Sequence, residues 1–300
     1  VFGMAKRMEA LALSVFVWAA CISLPLLGAR GSKAEAKEQA GATVRITFIN
    51  VGKADAALLC LGDLRYLMDT GAKESTDALL RALAYEKVER LDGVFITHTD
   101  KDHVGGLKAL LKSGIAVTQL YAPYYHNESS NEKHPAVKLA EKYTVPFTWL
   151  RAGDSIEPLQ GIRLLVLGPL RQDTANENNN SLVLRVNTPQ GDLLLTGDME
   201  TPEEAELLAA GLVQPAAVLK VGHHGEGDAS SAAFLYTVKP QIAVISTDST
   251  AEADTPDPGV MSKLWNIGAE VFLTQKATCG VQVTLKDGNA VGQLIQYTVQ

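Results

Sequence analysis

Between positions 98 and 103 the chain sets two imidazoles and two carboxylates, His98, Asp100, Asp102 and His103. The apolar run Gly93 to Ile96 leads into them; Gly105-Gly106 and a helix-like stretch, Leu107 to Lys112, follow. A buried strand feeding a short loop that opens a helix can turn several side chains toward one point. A metal ion needs that, because it takes three or more ligands from different directions. Imidazole mixed with carboxylate suits zinc, manganese or iron better than magnesium or calcium, which prefer oxygen shells. The two glycines fit a backbone that packs closely beside the loop. The plainer account is a polar surface loop with histidines in it. Four ligand-type residues at one strand end, with further clusters downstream, speak against it.

The run His98-Thr99-Asp100-Lys101-Asp102-His103 resembles the H-x-H-x-D-H signature of the metallo-β-lactamase superfamily. With Val104-Gly105-Gly106 it is similar to the branch containing the soluble domain of ComEC-type DNA-uptake proteins, and the likeness runs from about Val44 to Val299. The resemblance implies an α/β fold, a four-layer αββα sandwich, holding one or two divalent ions, zinc or manganese. His98 and Asp100 would hold the first ion. Asp102, His103 and one of the adjacent His223 and His224 would hold the second, with His223 favoured. Asp198, closing the strand-like Leu193-Leu194-Leu195-Thr196-Gly197, would bridge, since a carboxylate's two oxygens can reach separate ions. Its rival role is a helix N-cap, because Thr201-Pro202-Glu203-Glu204 reads as a helix start.

The same resemblance assigns further roles. Asp69, in Leu67-Met68-Asp69-Thr70-Gly71, would support the ligand loop without touching metal. Asp55, in the turn Asn50 to Ala56, would either hydrogen-bond that loop or serve as a turn residue. Lys220 would bind an anionic substrate oxygen. Asn180, with Asn179 as the alternative, would be a weak oxygen ligand or a substrate donor, standing where the wider superfamily has a histidine. Asp102 could accept a proton from the attacking water, though a ligand makes a poor base. His224 would assist protonation or bind substrate. The chain departs from the pattern at Asp100, Lys53, Ala54 and Thr255.

These groups need strands to carry them. Val44 to Phe48 alternates as a half-buried strand does. Ala56 to Leu61, Tyr66 to Met68, Leu91 to Ile96, Gly114 to Tyr121, Phe147 to Leu150, Ile162 to Leu167, Leu182 to Val186, Ile242 to Ser246, Glu270 to Thr274 and Gly280 to Leu285 also read as strands. Thr76 to Leu83, Val137 to Tyr143 and Met261 to Ile267 read as helices, and Ser230 or Ser231 as the N-cap of another. Periodicity alone supports only mixed α and β. His126 and His134 flank a polar loop and read as solvated. Cys60 and Cys279 read as small buried hydrophobes, with a disulfide as the alternative outside the cytoplasm.

Residues 1–43 differ from the rest. Lys6 and Arg7 precede an uncharged stretch, Ala10 to Gly28, which reads as an export signal or an uncleaved anchor over residues 1–30. Residues 31–43 read as a linker. The hydrolase domain is then 44–300. The formal charge of -7 argues against a general polyanion-binding surface, though not against a local cationic or metal-bearing cleft. The expected protein is an exported metal-dependent hydrolase in which metal-activated water attacks a bound ester. It would be a phosphodiesterase or nuclease with DNA as leading substrate. It would be secreted or anchored on the outer face of the cytoplasmic membrane, its N-terminal segment contacting membrane or export machinery. A lactonase or β-lactamase-like hydrolase, or a non-catalytic binding module on the same fold, are the alternatives.

Overall fold

The computed structural model of the chain describes residues 43–253 and 255–297. The expected signal or anchor, and the linker up to residue 42, lie outside them. The described strands, in chain order, are β1 Val44–Ile49, β2 Ala57–Leu61, β3 Leu64–Met68, β4 Arg90–Leu91, β5 Gly93–Phe95, β6 Ala116–Val117, β7 Leu120–Pro123, β8 Phe147–Leu150, β9 Ser155–Leu159, β10 Ile162–Gly168, β11 Val183–Asn187, β12 Leu193–Leu195, β13 Val218–Lys220, β14 Ile242–Ile245, β15 Glu270–Leu273, β16 Gly280–Lys286 and β17 Asn289–Ile295.

They form an eight-stranded sheet in the order β17-β16-β1-β2-β3-β5-β7-β8 and a seven-stranded sheet in the order β15-β14-β13-β12-β11-β10-β9. The short β4 and β6 pair separately. Alternation along each strand divides three apolar cores. Val44, Ile46 and Phe48 of β1 face Leu193, Leu195, Ile242 and Val244 of the other sheet. The opposite pleats of the first sheet, Leu58 and Val94 among them, pack on Leu79 and Leu83 of the helix Thr76–Tyr85 and on Ala136 and Ala140 of the helix Pro135–Tyr143. Leu194, Leu219 and Ala243 of the second sheet pack on the helices Thr201–Ala209, Ala232–Val238 and Pro258–Asn266. The result is the expected αββα sandwich. Both faces of both sheets are covered, which is why β12 and β14 read as unbroken apolar runs and β13 is broken only by the paired Lys220.

Two strands, β9 and β17, go beyond those expected from the sequence pattern. Both lie at sheet edges, so neither is enclosed as the central strands are, and Pro158 and Gly292 interrupt their patterns. The expected strand Leu91 to Ile96 is split: Asp92 turns its carboxylate to the Arg65 backbone N–H at 2.9 Å, and the residues before it pair with β6 instead. Cys60 and Cys279 are free thiols buried in one apolar cluster.

Strand direction gathers the ligand-bearing loops. β3, β5, β7 and β8 run parallel in the first sheet, and β12, β13, β14 and β15 run parallel in the second. Their carboxyl ends leave loops along one edge of the sandwich, where ligands of open α/β sheets collect.

Candidate metal centre

Asp69 follows β3, His98 follows β5, Asp198 follows β12 and His224 follows β13; the single-turn helix Lys101–Val104 adds Asp102 and His103. Asp102, His103, Asp198 and His224 each aim one ligand atom into a common space, all within 4.8 Å of one another. His103 Nε2 is 3.0 Å from Asp198 Oδ2, and His224 Nε2 is 3.2 Å from both Asp198 Oδ2 and Asp102 Oδ2.

The opposite ring nitrogens are tied down. His224 Nδ1 is 2.9 Å from the Ser246 carbonyl oxygen, which can only accept, so Nδ1 carries the proton. His103 Nδ1 donates to Asp69 Oδ2 at 2.9 Å. Thr97 gives its hydroxyl proton to Asp69 Oδ2 at 2.7 Å and so turns a lone pair toward His98 Nδ1 at 3.0 Å. His98 Nε2 is then a buried lone pair with no partner. Anchoring Nδ1 to oxygen and leaving Nε2 inward is how proteins orient imidazole ligands. These residues therefore fit a divalent ion. Two imidazoles and two carboxylates are a donor set open to zinc or manganese.

The electrostatics agree. Burial would raise Asp102, but its hydrogen bond to His224 and the His103 charge hold it at about 2. Burial would lower His224, but Asp198 and Asp102 outweigh it and hold it at about 9. Burial, then His103, pushes His98 well below the usual imidazole range. Protons on His103 and His224 thus balance the carboxylates where an ion would sit, and a bound ion would displace them.

The backbone around the centre is tightly fitted. A Cβ on Gly106 would lie 2.2 Å from the Thr70 carbonyl oxygen, so the expected close packing is present. His223 and His224 both take left-handed backbone angles, φ +43° and +53°, each at a cost of about 1–3 kcal/mol. That twist sends the two rings in different directions. His224 is buried in the cluster. His223 stands at the rim, its Nδ1 2.9 Å from Asp228 Oδ1 and its Nε2 3.2 Å from Asn178 Nδ2. The geometry therefore exchanges the two expected assignments, and His223 joins a separate group with Glu200 and Asp228.

Other expectations change as well. Lys220 is buried away from the open cleft. It is 4% exposed between the sheets, and its ammonium pairs with Asp55, donates to the Gly197 carbonyl at 3.1 Å and lies 3.6 Å from Asp198 Oδ1. Burial would lower its pKa, but Asp55 and Asp198 hold it above the ordinary value. Asn180 is fully buried with both ends engaged: Oδ1 accepts from the Asp173 N–H, and Nδ2 donates to the Asp173 carbonyl and to Glu177. Both of its amide N–H groups and one of its oxygen lone pairs are thus used inside the protein. Asn179 donates from Nδ2 to Asp173 Oδ2 at 3.0 Å, while its buried Oδ1 has no partner. Asp55 meets the metal loop through its backbone, whose N–H donates to the Asp102 carbonyl at 3.1 Å, while its side chain pairs with Lys220 instead.

His126 and His134 are buried, not solvated. His126 stacks on Trp149 with centroids 5.2 Å apart, and His134 Nδ1 accepts the Ala136 N–H to cap the helix Pro135–Tyr143. The N-cap of the helix Thr201–Ala209 is Glu200, so Asp198 is free for the cluster. Asp100 stands at the exposed rim, its Oδ2 3.8 Å from His98 Nε2. No third ligand group closes on that pair within the same 4.8 Å among the described residues, in contrast to the second set.

The sequence reading passed over Thr97, Ser181, the Ser246 carbonyl and Glu177. Ser181 Oγ accepts the Asp198 N–H at 3.0 Å, and Glu177 accepts from Thr99 and from the Asn127 N–H, tying two rim loops together. Hydroxyls and carbonyls carry no ligand signature, so only their position reveals them. A cleft of about 530 Å³ opens beside Asp102, with Lys53, Glu74, Asp248 and Glu252 on its walls.

Comparison with known proteins agrees with the geometry. The sequence pattern of the metallo-beta-lactamase superfamily matches residues 49–249. ComE operon protein 3 of Bacillus subtilis is 29% identical over 198 residues, 66% of this chain and 25% of its own length. Competence protein ComA of Neisseria gonorrhoeae is 28% identical over 234 residues, 76% of this chain and 30% of its own. The chain thus spans about a quarter to a third of these relatives. The metallo-beta-lactamase fold protein YhfI from Bacillus subtilis superposes with a TM-score of 0.54 at 13% identity, covering 84% of this chain and 100% of that one. Among the described residues no helix is long and apolar enough to cross a membrane.

Proposed function

The chain belongs to the metallo-β-lactamase superfamily, and from that premise we propose that it is a metal-dependent phosphodiesterase with nucleic acid as its leading substrate. The observation that carries the reading is the inward convergence of Asp102, His103, Asp198 and His224, with each imidazole Nδ1 fixed by another group. One divalent ion is proposed there, zinc or manganese, and a weaker one at His98 and Asp100. Such an ion lowers the pKa of water toward neutrality and stabilises charge on an attacked phosphoryl centre. The protein's own share is orientation: Asp69 holds His103, Ser246 holds His224, Thr97 holds His98, and Lys220 with Ser181 positions Asp198 from beneath. Asp102 is the cluster member most open to the cleft, its side chain 35% exposed, and can take a proton from that side. His223, braced by Asp228, stands where it can contact the bound ester. The likeness of the metal loop to that of ComEC-type proteins favours nucleic acid over a lactone or lactam.

Purified protein is incubated with single-stranded DNA, double-stranded DNA, a chromogenic phosphodiester, a lactone and a lactam, with manganese. A His98→Ala, Asp198→Ala double variant runs beside it. Diester cleavage that the double variant lacks supports the reading. Cleavage of a lactone or lactam with no diester cleaved refutes the substrate, and equal cleavage by the variant refutes the mechanism. Export is proposed from Lys6, Arg7 and the run Ala10 to Gly28; residues 1–43 fused to a reporter active only outside the cytoplasm should give signal.

A further inference from the structure

The two flanks of the metal centre differ in how their cations are engaged. On one, the cleft beside Asp102 carries Glu74, Asp248 and Glu252, and its one cation among the described residues, Lys53, is already paired with Glu226 and Glu252. A nucleic-acid strand laid there would meet a surplus of carboxylates. The other flank follows β7 and β8. These strands run parallel to β5, so Tyr124 after β7 and Arg151 after β8 emerge at the same edge as His98. Neighbouring strands lie about 4.8 Å apart, which puts the end of β8 about 10 Å from the end of β5. Glu177 braces the intervening loop, accepting from Thr99 in the metal loop and from Asn127 just beyond Tyr125 and His126.

On this flank Arg151 is exposed, and its guanidinium lies over the Tyr124 ring, 3.2 Å from the centroid, and 5.7 Å from that of Tyr125. Tyr124 is held edge-on by Tyr125 and Trp149 and is 36% exposed. Among the described residues no carboxylate pairs with the Arg151 guanidinium, although Asp154 accepts its backbone N–H at 2.8 Å. Among the same residues Arg65, Arg81 and Arg163 also lack an acidic partner, while Arg45, Arg90, Arg171 and Arg185 have one. Of the unpaired arginines, Arg151 is the one beside the His98 edge. A guanidinium seated over one ring and bound to no carboxylate still has a planar face and an N–H fork to offer a ligand. That plane stacks bases, and the fork binds phosphate.

We propose that Arg151, seated on Tyr124, is a docking platform for a nucleotide flanking the scissile diester, stacking its base and drawing single-stranded nucleic acid across the β7–β8 flank. The proposal rests on the phosphodiesterase reading for the scissile position but not for the binding itself. It also reconciles a chain of charge -7 with a polyanionic substrate, since one unpaired cation on a short path meets only a few nucleotides.

The test separates the two claims. Binding of a fluorescein-labelled single-stranded oligonucleotide is followed by anisotropy in chelator, where no turnover occurs. Arg151→Ala should weaken it about ten-fold, the worth of one stacked base. Arg151→Lys, which keeps the charge without the plane, should stay at least about three-fold weaker than the parent. Arg90→Ala, which removes an equal charge at the far end of β5, should change it less than about two-fold. Equal effects of Arg151→Ala and Arg90→Ala, full recovery with Lys, or no binding by the parent would each overturn the platform. With manganese, the ratio of kcat/KM on the oligonucleotide to that on a small chromogenic diester should fall about ten-fold in Arg151→Ala. If the parent cleaves the small diester and neither ratio nor binding moves, the platform is wrong and the activity stands. If no diester is cleaved but binding moves as stated, the activity is wrong and the platform stands.

Discussion

Replacing Lys220 by Met distinguishes a substrate contact from an internal ion pair. Met matches the lysine stem in length, so little packing is lost, but Asp55 is left buried without its counter-ion. Both partners are about 5% exposed or less. Removing one member of a buried pair costs about 3–5 kcal/mol, much of it the penalty of the stranded charge. The variant should therefore lose about that much in urea unfolding at pH 8, with the midpoint shifted and the m-value unchanged. Asp55→Asn alone should also destabilise, because the buried ammonium then keeps only the Gly197 carbonyl and the more distant Asp198. The double variant removes both charges, so its loss should fall short of the sum of the single losses by about 2 kcal/mol of coupling. A lysine that served substrate would behave differently: Lys220→Met would raise KM for a charged ester and leave unfolding almost untouched. A loss below about 1 kcal/mol, or strict additivity of the two substitutions, would refute the internal pairing.

Acid should weaken the fold partly through His134. Burial, then the neighbouring His126, lowers its pKa to about 3 in the folded protein, against about 6.5 unfolded. The unfolded chain therefore binds the proton first, and stability is lost as pH falls from about 6.5 toward 3; between pH 7 and 5 the loss is about 2 kcal/mol. His134→Ser keeps a side-chain acceptor for the Ala136 N–H but cannot titrate, so its unfolding free energy should be flatter over that window by the same amount; an identical slope would contradict this. In the metal centre, His224→Ala should lower the affinity of the tighter ion by more than ten-fold, as measured by calorimetry, while His223→Ala should affect it less; the reverse order would show that the exchange of the two histidines is wrong. Dialysis should remove the ion at His98 and Asp100 first, because fewer groups close around that pair; equal retention of two ions would count against it.

The order of the chemistry was readable from the chain. His98 to His103, Asp198 and the His223-His224 pair each end an apolar run, and apolar runs bounded by glycine mark strands buried on both faces. Strands that end together bring their loops together; the resemblance supplied the sandwich, while the local pattern supported only mixed α and β. What could not be read was direction. Adjacent His223 and His224 are chemically identical, and two left-handed backbone angles alone decide which ring turns inward. Lys220 looks like a substrate contact on its strand, yet pleating points it between the sheets, where Asp55, far away in the sequence, supplies the opposite charge. Asn180, Glu177 and the pair His126 and His134 were misplaced or missed for the same reason. A polar side chain's partner is set by the three-dimensional approach of distant segments, while the hydrophobic period is a property of each segment alone.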